Sequence, residues 1–206
     1  MADIIYKGAN CFEIKTKKAS LIIDPFGKDY GKPPSIKDKI VVLTRASEGL
    51  DTTGAKFVIS NPGEYEIDMI SVTGVPAKSM LDASDTDTVY RFSIGDVSIG
   101  VIGGIEPKLS DEQLEALGLI DYLIIPVGGH GLCPDAVGAA SLVRDIEPKV
   151  LIPSHYQTSE ITYPVPQDTI EQFGKELGKE ITIETKLKLT RSDLPEELRI
   201  IGLSVS

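Results

Sequence analysis

His130 and His155, the chain's two histidines, each follow an apolar run, in "PVGGHGLCPD" and "IPSHY". Groups that do chemistry gather where strands end and loops begin, so both are candidates for catalysis or metal binding. The competing reading is an imidazole that caps or fills a polar gap. Cys133 lies shortly after His130 and directly before Pro134. With Pro134 at the first helical position, Cys133 is expected to be the N-cap of the next helix, where unpaired N–H groups and the macrodipole favour a thiolate. A His and Cys pair can bind a soft metal or act as base and nucleophile; the plainer reading is a small residue in place of a Ser or Thr cap. Asp24, between "LII" and Pro25, is either a turn starter or a metal ligand, or an acid that orients one. Glu64 and Glu66 in "NPGEYEI" would share a face if extended and could do paired acid–base work, while Pro62-Gly63 favours a solvated turn.

Periodicity gives the elements that must hold these groups. "DIIYKG", "CFEIKT", "SLIIDPFG", "KIVVLT", "KFVISNPGEYEI", "MISVTGV" and "TDTVYRFSIGDVSIGVIGG" are β-rich runs bounded by turn residues, which predicts strands close in sequence and mostly antiparallel. "SDEQLEALG" then predicts a helix, with Ser110 and Gln113 at capping-box spacing, Leu114 and Leu117 on one face and Gly118 closing it. "IDYLIIPVGG" and "KVLIPSHY" read as buried strands. "PDAVGAASLVRDI" is helical with Val137, Ala140 and Ile146 near one face, and "PQDTIEQFGKELGK" with Ile170, Phe173 and Leu177 before Gly178. The tail returns to strands in "EITIETKLKL" and "LRIIGLSVS". No repeat, low-complexity segment or linker divides the chain, so one domain over residues 1–206 is expected, with two sheets and helices outside.

With 206 residues, 41% of them apolar and 25% charged, and no apolar run near the roughly 18 residues of a membrane span, the composition is that of a soluble globular protein. The start lacks a basic n-region, which makes cytoplasmic residence the expectation. A formal charge of −10 disfavours nucleic-acid partners, which are bound by clustered Lys and Arg. The two cysteines, Cys11 and Cys133, are expected to be free thiols.

Taken in order, "KGANCFEIK", "LIIDPFG", "IVVLTRASEG", "NPGEYEI", "VIGGIEPKL", "IDYLIIPVGG" and "IEPKVLIPSHY" resemble the landmarks of the metallo-β-lactamase-fold superfamily. The similarity is to its small metal-dependent hydrolases, the branch that includes L-ascorbate-6-phosphate lactonase-like proteins. The resemblance implies an α/β fold, a four-layer αβ/βα sandwich of two mixed sheets with outer helices and a site along one edge. In that family the strand before the first loop runs into Thr-His-x-His-x-Asp-His, which binds two metals. Aligned on Thr44, "LTRASEGLDTTG" offers Arg45, Ser47, Gly49 and Leu50 instead, and arginine, glycine and leucine have no side-chain lone pair to give. Further on, a His-x-Gly-Asp segment supplies a ligand and a bridging aspartate; here Val101 and Gly104 take those places. Among the family's ligand positions His155 alone keeps its type, and one imidazole cannot hold a catalytic dimetal centre.

The resemblance therefore implies a hydrolase frame with its metal chemistry erased: a degenerate protein that binds a small molecule or a protein partner in a cleft formed by Asp24, Arg45, Ser47 and His155. No cofactor is expected. The alternative is an active hydrolase with a rebuilt site, in which His155, His130, Cys133, Asp24 or Asp135 hold one zinc or form a thiol-dependent centre. Arg45 would then be a fixed cation for a phosphate or carboxylate. An assembly role, with a second copy over the cleft or an open sheet edge, is a further expectation. Asp24, the "PGEYE" turn and Asp135 are expected to be mostly architectural.

Overall fold

The computed structural model describes residues 2–46 and 50–206. The turn-bounded runs become strands because β-branched and aromatic side chains suit a pleated, half-buried surface. They are β1 (Ala2–Gly8), β2 (Cys11–Lys15), β3 (Ser20–Ile23), β4 (Ile40–Val42), β5 (Phe57–Ile59), β6 (Gly63–Ile67), β7 (Ile70–Lys78), β8 (Thr86–Ile94) and β9 (Val97–Val101). The second half gives α1 (Asp111–Leu117), β10 (Tyr122–Pro126), α2 (Ala136–Ile146), β11 (Val150–Ser154), α3 (Ile170–Leu177), β12 (Ile181–Glu184), β13 (Leu187–Leu189) and β14 (Arg199–Leu203).

Two mixed sheets result, ordered β13-β1-β2-β3-β4-β5 and β12-β14-β11-β10-β9-β8-β7-β6. Early strands pair antiparallel as expected, except that β3–β4 and β4–β5 are parallel, each joined by a connection long enough to cross over. Alternation sorts the faces. Leu21 and Ile23 of β3, like Ile40 and Val42 of β4, face the core between the sheets, while Ile22 and Val41 face outward. One cluster from Ala2 to Leu203 fills that core. Phe12 and Phe92, fully buried in it, contribute roughly 1.5–3 kcal/mol each.

The outer face of the six-stranded sheet is built differently from the expected helical layer. Cys11, Ile22, Val41 and Leu43 are covered there by Phe26, Ile36, Leu50 and Ala55, from connecting segments that contain a 3-10 turn at Lys28–Tyr30 and no α-helix among the described residues. Helix α1 packs against β7, and α2 against α3. No helix among the described residues is long and apolar enough to cross a membrane.

Helix ends follow capping chemistry, with one correction. Ser110 and Gln113 form the expected box at α1, and Thr169 and Gln172 form another at α3, closed by left-handed Gly178. At α2 the cap is Asp135, whose Oδ1 accepts from the Gly138 N–H at 2.8 Å, and not Cys133. A carboxylate is a far better acceptor for that N–H than a thiol, so the helix starts after it. The shift also sets the helix phase: Ala139, Ala140, Leu142 and Val143 are buried, whereas Val137 is 60% exposed. Glu64 and Glu66 belong to strand β6 rather than a turn, paired opposite Thr73 and Ser71, and both are exposed.

Candidate functional site

Strands β3 and β4 of one sheet run parallel to each other, as do β9, β10 and β11 of the other, and all five end beside a common cleft of about 190 Å³. Ligand crevices lie outside the carboxyl ends of parallel strands because that is where loops from several strands converge. Asp24 follows β3, Thr44 and Arg45 follow β4, Gly103 and Gly104 follow β9, Cys133 comes after β10 and His155 after β11. Asp24 and His155 both have left-handed backbone, φ 41° and 52°. Such conformations are uncommon outside glycine and persist where hydrogen bonds hold them. Here the Asp24 N–H donates to Val42 O at 2.9 Å and the His155 N–H to Ala9 O at 2.7 Å.

A buried polar chain joins the two sheets behind the cleft. Asn10 Nδ2 donates to Asp24 Oδ2 at 2.6 Å and to Ile102 O at 3.2 Å, while Asn10 Oδ1 accepts from Ser154 Oγ at 2.6 Å. Asp24 also accepts from the Thr44 N–H and from Thr44 Oγ1, both at 2.7 Å. Burial pushes the Asp24 carboxyl up to about 6, against the hydrogen bonds from Thr44 and Asn10 that lower it. A raised folded-state value means that stability tied to Asp24 is fully present below the ordinary value of 3.8 and is lost as pH rises through about 6. Carboxyl-carbon NMR should therefore show Asp24 titrating near pH 6; a midpoint at or below the ordinary value would mean that the hydrogen bonds from Thr44 and Asn10 outweigh its burial.

Arg45 is anchored rather than free. Its Nη2 lies 3.3 Å from Asp85 Oδ2 and its Nε 3.9 Å from Asp87 Oδ1. The Asp87 side chain is 1% exposed, and neither oxygen has a hydrogen bond of normal geometry among the described residues. Burial raises its pKa, with the nearby Ser79 hydroxyl and then Arg45 opposing that rise. Asp85 and Asp87 thus pair with one side of the guanidinium, whose buried Nη1 has no hydrogen-bond partner among the described residues.

His155 and Cys133 do come together, with Sγ 3.7 Å from Nδ1. His155 Nδ1 is also 3.0 Å from Gln167 Oε1. Gln167 Nε2 donates to Val165 O at 2.9 Å and Pro166 O at 3.2 Å, which fixes the amide and makes Oε1 the acceptor. Nδ1 must then carry the proton, as inferred from the network. It cannot be a base toward Cys133. Burial lowers the His155 pKa, with the Gln167 bond acting the other way. Burial also pushes the Cys133 thiol up to about 11, despite the Gly129 and Gly128 N–H groups that favour the thiolate. The lowered thiol pKa expected from a helix N-cap is thus reversed, because Cys133 is buried and off the cap.

The other sequence candidates lie elsewhere. His130 is exposed, with Nε2 3.3 Å from Asp168 Oδ1, and does not line the cleft. Val101 is buried within β9, and half-buried Leu50 packs on the outer face. Ser47 and Gly49 lie outside the described residues. No local pattern in the sequence points to Asn10, Asp87 or Gln167, and each matters through a partner distant in the chain.

A metal centre of the family's kind does not fit these residues. Asp24 already accepts from three donors, His155 has only Nε2 left to offer, and Arg45 is a cation, so the cleft provides one imidazole and one engaged carboxylate where a two-metal centre needs several free ligands. Gly104, aligned with the bridging aspartate, has no room for a side chain: an added Cβ would stand 2.8 Å from the Leu132 carbonyl oxygen. Among the described residues no group of three or more His, Cys, Asp or Glu is placed to hold a metal ion.

Residues 3–155 match the family model described as a beta-lactamase superfamily domain. A UPF0173 metal-dependent hydrolase of Thermoplasma acidophilum is 24% identical over 204 residues, covering 80% of this chain and 87% of that protein. Another of that description, from Thermococcus onnurineus, is 28% identical over 220 residues, covering 86% and 93%. A solved metallo-β-lactamase superfamily structure from Thermotoga maritima superposes with a TM-score of 0.77 at 21% identity, covering 99% of this chain and 100% of that one. At that identity the likeness is one of fold.

Proposed function

The chain belongs to the β-lactamase superfamily, and we propose that it is a catalytically degenerate member whose cleft binds a small uncharged ligand or a partner's side chain. The observation that carries this reading is Arg45, a permanent cation paired with Asp85 and Asp87 where the family's metal-binding loop would begin. A guanidinium supplies positive charge without a Lewis-acid site or a bound water to activate. The carboxylates around it disfavour an anionic occupant, and the volume of about 190 Å³ suits a compact one. His155, protonated at Nδ1, offers Nε2 as an acceptor to such a ligand. Cytoplasmic residence is part of the proposal.

A panel of chromogenic lactone, ester and phosphodiester substrates, assayed with added zinc, tests it. The expected result is no turnover above the uncatalysed rate. Turnover abolished by a chelator would overturn the reading in favour of a rebuilt metal site, and turnover abolished by iodoacetamide would do so in favour of a thiol centre.

A further inference from the structure

We infer that the outer face of the six-stranded sheet carries a second binding site, a pocket for a small organic acid with an apolar body. The pocket has a volume of about 500 Å³, within the range of small-molecule sites. It opens on the side where connecting loops replace a helical layer. Three of its walls carry lysines: Lys7 from β1, Lys39 just before β4, and Lys32 from the loop between β3 and β4.

The lysines are organised from below by Glu13, whose side chain is 4% exposed. Lys39 Nζ lies 2.8 Å from Glu13 Oε1 and Lys7 Nζ lies 3.8 Å from Oε2. Burial pushes the Glu13 carboxyl up, but the bonds from Lys39 and Ser20 and the lysine charges outweigh it and leave it below its ordinary range. Glu13 is therefore an anion that pairs with three ammonium groups, those of Lys7 and Lys39 in the pocket wall and that of Lys15, 3.5 Å from Oε2, outside it. Lys7 is also engaged by Ser206, through Oγ at 3.1 Å and the main-chain oxygen at 3.5 Å, so Lys32, exposed at the rim, is the ammonium most open to a ligand.

The remaining wall is apolar, from Phe26, Pro34 and Ile161. Ile161 is seated over Gly8, where an added Cβ would come within 2.2 Å of it, and the Thr162 N–H donates to Tyr30 O at 3.0 Å, tying the two rims together. A preformed concavity with ammonium groups at one side and apolar side chains at the other matches an acid whose head pairs with lysine and whose body is buried. The carboxylate and the phosphate monoester are the two head groups with that chemistry. Occupancy of this pocket is independent of what the cleft binds.

Amide NMR titrations of the full chain with benzoate, phenyl phosphate and benzyl alcohol test the site. Saturable shifts at residues 32–39 and 160–162 are expected with at least one anion, and none with the alcohol; the tighter anion identifies the head group. Lys32→Glu, at an exposed position that leaves the Glu13 cluster intact, should weaken that anion by at least about fivefold. Equal binding of benzyl alcohol, shifts centred on Arg45 and His155 instead, an unchanged affinity in Lys32→Glu, or no saturable shift with either anion would each overturn the inference.

Discussion

Replacing Arg45 with leucine is expected to cost the fold about 2–3 kcal/mol at pH 8 and less than about 1 kcal/mol at pH 5. Removing one partner of a buried ion pair strands the other, and Asp87 is the stranded group. Its side chain is 1% exposed, and its carboxyl already lies above the ordinary value of 3.8 with Arg45 in place. Without the guanidinium that value rises further. Stability tied to a group raised in this way is present below the unfolded-state value and lost as pH rises through the folded one, so the deficit of Arg45→Leu must grow with pH. Urea denaturation of both proteins at the two pH values measures it. A pH-independent deficit would mean that Arg45 acts through packing alone.

Asn10→Ala should be costlier, by about 3–5 kcal/mol, with Tm lowered by roughly 10 °C. Asn10 is 9% exposed and serves Asp24, Ile102 and Ser154 at once, so its loss leaves a hydroxyl, a carbonyl and a carboxylate short of partners. These groups come from both sheets, which makes Asn10 a polar bolt through an otherwise apolar junction. A buried network with one member removed is worse than its separate bonds suggest, because each survivor is left in low dielectric. A loss under about 1 kcal/mol would show that water enters and replaces the amide.

The strands were legible because their β-branched runs are bounded by turn residues, and α1 and α3 because their capping boxes are local in sequence. Asp24, Arg45 and His155 are legible as neighbours through the family resemblance, with Cys133 as a partner in the alternative reading; the structure supplies the reason, since each follows a strand and the ends of β3, β4, β10 and β11 meet at one cleft. Asp87 was not. "DASDTDTVY" reads as a solvated acidic turn, and the burial of one aspartate in it depends on the pairing of β8 with β7, where Asp87 stands opposite Ala77. Gln167 and Asn10 carry no periodic signal, since their hydrogen bonds go to residues far along the chain or to irregular backbone. The Cys133 thiol departs from the sequence expectation because a cap displaced by two positions, to Asp135, exchanges a polarised helix end for a buried pocket.

If Arg45 stands in for the family's metals, zinc has no place in the cleft. The most direct measurement is elemental analysis of protein purified from zinc-supplemented medium without chelators. Substoichiometric zinc, removed by gel filtration, is the expected result. About two tightly held equivalents per chain, the stoichiometry of a two-metal site, would contradict it.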